Sequence, residues 1–374
     1  MPLILTGTLA STTLDSSAGL TFSDSSNQSA AASPFGLKNR IINGDMVISQ
    51  RNGTSSVTPT DGQYVLDRFG CFVSQASKYT VQQNAGSVTP PAGFTNYLGV
   101  TSTSAYSITS TDYFAITQYI EGFNTADLAF GTANARTVTL SFWVRSSLTG
   151  TFGGAIRNSA ANRSYPFSYT ISAANTWEYK TITIPGDTTG TWLTNNGIGI
   201  AVWFGLGVGS TFSGTAGSWQ AAGLNSTTGA TSVVGTNGAT WYITGVQLER
   251  NTTATPFEWI PYGTELALCQ RYCFVYRPST NFAPYLMAHG INTTSMRGLL
   301  KFPQTMRAAP SLTFTAANTF QWSFGNVATS IALAEQGVDM SSVDIGSTGI
   351  TANGGYMITS ANTTNSSIIG SSEL

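Results

Sequence analysis

Residues 137–145, Thr-Val-Thr-Leu-Ser-Phe-Trp-Val-Arg, alternate between two kinds of side chain without a break. Val138, Leu140, Phe142 and Val144 fall on one face; Thr139, Ser141, Trp143 and Arg145 fall on the other. Successive side chains of extended backbone point to opposite sides, so a period of two marks a strand with one face in a core. The pattern recurs. Residues 63–69 and 113–120 are rich in aromatic and β-branched side chains, 177–184 alternates again before a Pro185-Gly-Asp turn, and 241–248 ends the series. Residues 198–206 are almost continuously apolar, as in a strand covered on both faces. Gly205, Gly207 and Gly209 are expected to relax the end of that strand, and a long glycine-rich loop follows over 210–237. No long helical period appears before Thr264. Strands at this spacing, joined by Gly, Ser, Thr and Asn, predict an all-β sandwich or barrel and exclude alternating β–α units.

One stretch departs from this rule. Residues 247–272 run from the end of a strand through proline-punctuated extended chain into a short helix predicted over 264–272. Thr264 suits its N-cap and Glu265 its first turn, where a hydroxyl and a carboxylate satisfy free amides and the positive dipole end. Leu266, Cys269 and Tyr272 share one helix face. The stretch reads as a strap that closes one domain before the next. Residues 273–277, 284–289, 298–302 and 312–314 are further strand candidates, and 351–374 reads as one strand (Tyr356-Met-Ile-Thr) plus a polar tail.

Charge narrows the functional classes. Of 374 residues only 9% are charged, against about a quarter in ordinary soluble domains. Solubility then rests on Ser, Thr, Asn and Gly, and such a surface is easily buried against identical neighbours. A net charge of −1 lacks the basic face that nucleic acid requires, and equally gives no steering to a membrane surface. No run of eighteen apolar residues offers a membrane-spanning helix. The start, Met1-Pro-Leu-Ile-Leu-Thr-Gly, has neither the basic region nor the apolar core of a secretory signal. Three cysteines, Cys71, Cys269 and Cys273, argue against a disulfide framework. Cys269 and Cys273 are spaced like a metal half-site, yet His289 is the single histidine available to complete it. Buried thiols are expected instead, and neither a metal nor a cofactor.

Three groups of residues carry a family resemblance: Asn39-Arg-Ile-Ile-Asn-Gly-Asp-Met46 through Gln50-Arg51; Ile120-Glu-Gly122 with Thr139-Leu-Ser-Phe-Trp-Val144; and Gln247-Leu-Glu249, Ala254-Thr-Pro-Phe-Glu258, Glu265-Leu266 and Cys269-Gln-Arg-Tyr272. Together, over roughly residues 39–276, they resemble tail-fibre and appendage proteins of tailed bacteriophages that contain a carbohydrate-binding-module-like jelly-roll domain. The resemblance implies a jelly-roll β-sandwich over 39–262, a helical strap over 263–276, a smaller C-terminal β domain over 277–374, and an extended N-terminal arm over 1–38. It further implies a virion protein made in the host cytoplasm, a homotrimer attached to other virion proteins through its arm. The function expected is tail-fibre contact with host-surface polysaccharide, without nucleic-acid binding or membrane insertion. The alternatives are a head-decoration protein that stabilises the capsid, and a glycan-degrading enzyme.

Catalysis finds little support in the residues. A single histidine, no Gly-x-Ser-x-Gly elbow, no phosphate-cradling loop and no His-Glu-x-x-His remove the common hydrolytic and metal-dependent schemes, so no catalytic residue is assigned. Glycoside hydrolysis needs only two carboxylates, for which Glu121, Asp127, Asp187, Glu249 and Glu258 are the candidates. Asp187 belongs to a turn and Glu249 to a closing strand, where structural hydrogen bonding is the expected role. Sugar binding is better motivated, because aromatic faces pack on sugar C–H surfaces while a few polar groups fix hydroxyls. On the outward faces of their strands, Trp143, Arg145, Tyr119 and Glu121 are the candidate ligand-binding residues.

Overall fold

The computed structural model describes residues 37–323 and 325–374, with the backbone of one short antiparallel pair, Leu20–Thr21 and Asn27–Gln28. The arm expected over 1–38 falls, apart from that pair and its last two residues, outside the described residues. The chain divides into two units, Met1–Lys38 and Asn39–Leu374.

The alternating segments of the second unit build a two-sheet sandwich. Six strands lie in the order Ser164–Ile171, Gly150–Arg157, Ile198–Val208, Tyr113–Glu121, Phe69–Val73, Gln63–Leu66. Five face them in the order Glu178–Ile184, Val138–Ser146, Thr240–Glu249, Leu98–Ser102, Tyr79–Gln83. Every neighbouring pair is antiparallel. Val138, Leu140, Phe142 and Val144 are fully buried between the sheets, as their alternation predicts. Phe142 meets Phe204 of the opposite sheet at 5.2 Å, and the buried Trp241 indole donates to the Tyr169 hydroxyl at 3.1 Å. Burial of each such side chain is worth roughly 1.5–3 kcal/mol, which is what fixes the register of both sheets. Ile198–Val208 is buried along nearly its whole length, with Ile200, Val202, Phe204 and Leu206 in this core and Ala201 and Trp203 packed on the other face with Ala115, Phe72 and Tyr119.

The sandwich is closed by residues of the stretches 39–51 and 247–272. Asn39 lies beside the last strand: its side chain donates to Val246 O and accepts from the Leu248 N–H, while the Arg40 N–H bonds Leu248 O at 2.8 Å. Gly44 is obligatory here, since a Cβ would sit 2.2 Å from Val246 O. Asn43 ties Ile48 and Asp67 together through its side chain. The helix spans Tyr262–Gln270, two residues earlier than its spacing predicts, because Pro261 sets the entry and no side chain caps it. Thr264 therefore sits inside the helix rather than at its cap. Glu265 is turned inward and accepts the Asn43 N–H. Cys269 and Tyr272 pack with Ile42 and Ile48 as the helix face implies, and all three cysteines are free and buried.

Beyond the helix a second core, containing Phe274, Met296, Phe302, Phe320, Val343, Ile345 and Ile358, is enclosed by a three-stranded and a seven-stranded sheet. The polar tail contains a strand that its composition hides. Ile368–Ser371 is the centre of the three-stranded sheet, between Cys273–Tyr276 and Ser311–Phe314. Its two isoleucines give no period of their own, and partners about 60 and 95 residues upstream supply the pairing. The end of the chain then packs back on the sandwich. Glu373 pairs with Arg68 and Arg51, and Arg307 donates to Ser372 O at 2.8 Å and to Asn196 O at 2.8 Å.

Candidate binding site

Trp143 leaves the Val138–Ser146 strand on its outer face, and the register places Tyr179 directly across from it. Their rings lie 5.4 Å apart, with Tyr179 43% exposed. On the other side Trp143 pairs with Thr244, where a bulge interrupts the ladder up to Gln247. Gly245 occupies that bulge at φ 62°. A Cβ there would come within 2.6 Å of the Phe94 ring and 3.2 Å of the Trp143 ring. The bulge thus opens a notch in the sheet face into which Phe94 fits. Phe94 in turn meets Phe257 at 5.2 Å and Trp259 at 4.8 Å, edge-on and tilted, with Trp259 55% exposed.

The position of Phe257 follows from the strap. Gln247 and Glu249 point from one strand toward the same returning turn. Gln247 Oε1 accepts the Glu258 N–H at 2.9 Å, and Glu249 accepts the Thr255 N–H at 2.8 Å and its hydroxyl at 2.7 Å. These bonds carry Thr255, Pro256 and Phe257 over the sheet. The result is an open cleft of 570 Å³, walled by Phe94, Trp143, Tyr179 and Phe257 and lined by no charged side chain. Aromatic walls of this kind accept a flat, uncharged, partly apolar surface.

Arg145 lies on the same outer face, outside the cleft. Its Nε donates to Asn175 O at 2.8 Å, and its guanidinium sits 5.5 Å from the centre of the Tyr242 ring, beside Tyr97 and Trp177. Tyr119 and Glu121 belong to the other sheet, so the four candidates do not converge on one face. Tyr119 joins Phe72 and Trp203 in a separate aromatic group, with Arg157 stacked 4.4 Å over Trp203. Burial pushes the Tyr119 hydroxyl up to about 12. Glu121 is almost wholly buried. Arg271 grips its carboxylate through two bonds of 2.9 and 2.7 Å, and the Tyr272 hydroxyl donates to it at 2.7 Å. Burial favours its neutral form, but these three bonds outweigh that and hold its pKa below the usual range. Glu121 therefore fastens the strap to the sandwich.

The remaining carboxylates are similarly occupied. Asp187 takes Arg163 in a bidentate pair at 2.8 and 2.6 Å, Asp127 takes Arg40 at 2.8 Å, and Glu258 accepts the Asn39 N–H at 2.7 Å. Among the described residues no three His, Cys, Asp or Glu side chains are grouped as a metal site, and no helix is long and apolar enough to cross a membrane. Sequence reasoning selects Trp143 because alternation turns it outward. It misses Tyr179, Phe94, Phe257 and Trp259. Tyr179 alternates legibly within its strand, whereas Phe94 and Phe257 come from loops whose placement depends on Gly245 and Gln247.

No protein-family model matches this sequence, and no curated protein matches it. Among solved structures, the chain is similar to a family 11 carbohydrate-binding module from Clostridium thermocellum in complex with a β-1,3-1,4-mixed-linked tetrasaccharide (14% identity, 54% of this chain and 100% of that one, TM-score 0.27). It is similar to a family 4 carbohydrate-binding module (17% identity, 56% and 98%, TM-score 0.28). It is also similar to the enzymatically active domain of tailspike protein 4 from bacteriophage CBA120 (14% identity, 56% and 21%, TM-score 0.31), of which it spans about a fifth. No residue role carries across at these identities. The chain itself is all-β, a sandwich of antiparallel sheets followed by further β structure.

Proposed function

We propose that this protein is a structural virion protein of a tailed bacteriophage, a tail fibre or related appendage that contacts a host-surface glycan through the cleft at Trp143. The single observation that supports glycan contact is the uncharged aromatic cleft. Its 570 Å³ falls within the roughly 300–1,000 Å³ of ligand sites, and its walls suit the C–H faces of neutral sugar rings. The virion role rests on the motifs over 39–51, 120–122 and 247–272, which resemble those of phage appendage proteins. On this reading the protein is non-catalytic, because the carboxylates a hydrolase would use are engaged in holding the fold. Its partners are further copies of itself, as a trimer, and other virion proteins reached through residues 1–38.

Two measurements test the reading. Calorimetric titration of the protein with neutral surface polysaccharide from a susceptible host should detect binding. Trp143→Ala combined with Tyr179→Ala should weaken it at least about tenfold, or 1.4 kcal/mol, with little change in melting temperature. Binding unaffected by the double substitution would remove the cleft from the proposal. Immunogold labelling of virions should place the protein at the tail; label spread over the head would instead support capsid decoration.

A further inference from the structure

The C-terminal β region has an open cleft of its own, 550 Å³ in volume, beside the Cys273–Tyr276 strand and the strands Pro284–Gly290 and Ser295–Lys301. Its chemistry is opposite to that of the Trp143 cleft. Arg277 and Lys301 both line it and both are exposed, while no acidic side chain lines it. Elsewhere eight of the other fourteen cations, Arg40, Arg51, Arg68, Arg163, Lys180, Arg250, Arg271 and Arg297, each face a carboxylate. Among the described residues, Arg277 and Lys301 have no carboxylate within 4.0 Å. Two positive charges therefore line one concavity with no carboxylate of the described residues in salt-bridge reach.

The cleft is also held in shape. The Tyr276 hydroxyl donates to Lys301 O at 2.8 Å, tying the first strand to the third. The Tyr285 hydroxyl bonds Ser366 O at 3.0 Å, so both rings line the cleft with their polar ends tethered. Arg277 spends one donor on Arg51 O at 3.3 Å, which positions a guanidinium that has five N–H groups in all. A planar fork of donors matches a carboxylate or phosphate, the lysine adds a point charge, and tyrosine faces suit a sugar ring.

We propose that this cleft binds the anionic group of an acidic saccharide, a carboxylate or phosphate carried on a sugar ring. Arg277 and Lys301 take the charge, and Tyr276 and Tyr285 flank the ring. The site is independent of the Trp143 cleft and selects for the opposite property, charge instead of neutrality.

The test titrates the full chain with trigalacturonate, with neutral galactotriose and with galactose 6-phosphate. Binding of trigalacturonate or of galactose 6-phosphate, with galactotriose at least about tenfold weaker in the Trp143→Ala variant, supports the site and identifies the anion. Raising salt from about 50 to about 500 mM should weaken that binding, as screening shortens the reach of the two cations. Arg277→Ala with Lys301→Ala should reduce it at least about tenfold, and Arg277→Lys, which keeps the charge, should restore part of it. Trp143→Ala should leave it unchanged, which separates failure here from failure of the neutral-glycan reading. Galactotriose binding of equal strength that persists in the Trp143→Ala variant, no binding of either anionic probe, or full binding by the Arg277→Ala, Lys301→Ala variant overturns the proposal.

Discussion

At position 245 even one methyl group would collide with the walls of the Trp143 cleft. Gly245→Ala must also hold a left-handed backbone, a combination expected to cost roughly 1–3 kcal/mol. Chemical denaturation should register that loss, and titration with neutral glycan should weaken in parallel as Phe94 is displaced. A second residue sets a pH dependence. Burial pushes the Glu265 carboxyl up to about 7, helped by Asp45 and Glu258 and opposed by the Asn43 N–H. A raised folded pKa means the contribution is complete below the ordinary value of 4.5 and is lost as pH rises through about 7. Glu121 and Asp187 act in the opposite sense. Burial raises each, but their arginine partners lower them further, so their contribution is lost as pH falls below the usual carboxylate range. Melting temperature should therefore peak in mildly acidic buffer, and Glu265→Gln should flatten the decline between about pH 5 and 8. An unchanged decline in that variant would assign it to another group.

At the scale of elements, the strap is held by buried polar contacts more than by its own helix, which is short and uncapped by any side chain. Glu121→Ala would leave Arg271 and the Tyr272 hydroxyl without their acceptor. Breaking a buried pair costs about 3–5 kcal/mol, and with Arg271 a third exposed we expect nearer 2 kcal/mol by urea denaturation. The motifs over 39–51 and 247–258 could be recognised in the sequence as architectural. What they do could not: Gln247 and Glu249 act on a turn, and Asn39 and Gly44 act on a strand some 200 residues away. The hidden strand Ile368–Ser371 makes the same point, since its pairing partners are distant and its own pattern is too short to read.

Across the whole second unit, the sandwich and the C-terminal sheets keep separate apolar cores and meet through a small apolar cluster of Ile42, Ile48, Cys269, Tyr272 and Leu374 together with charge and backbone bonds. Arg68 is fully buried, stacked 3.6 Å over the Tyr272 ring and paired with Glu373. Glu373→Ala should strand that guanidinium and cost about 3–5 kcal/mol, read as a single unfolding transition moving to lower denaturant in calorimetry or fluorescence. Two transitions appearing in its place would mean that the junction alone couples the two regions. The sequence by itself determined the all-β class, the inward face of the Val138–Ser146 strand, the outward turn of Trp143 and the want of charge. Those properties follow from local periodicity and composition, which each residue carries wherever it goes. Only the tertiary structure decided that Tyr119 and Trp143 lie on different sheets, that Glu121 is a fastener, and that Phe94 and Phe257 meet at a glycine bulge. Those outcomes depend on strand order and loop closure, and both are set by contacts between residues far apart in the chain.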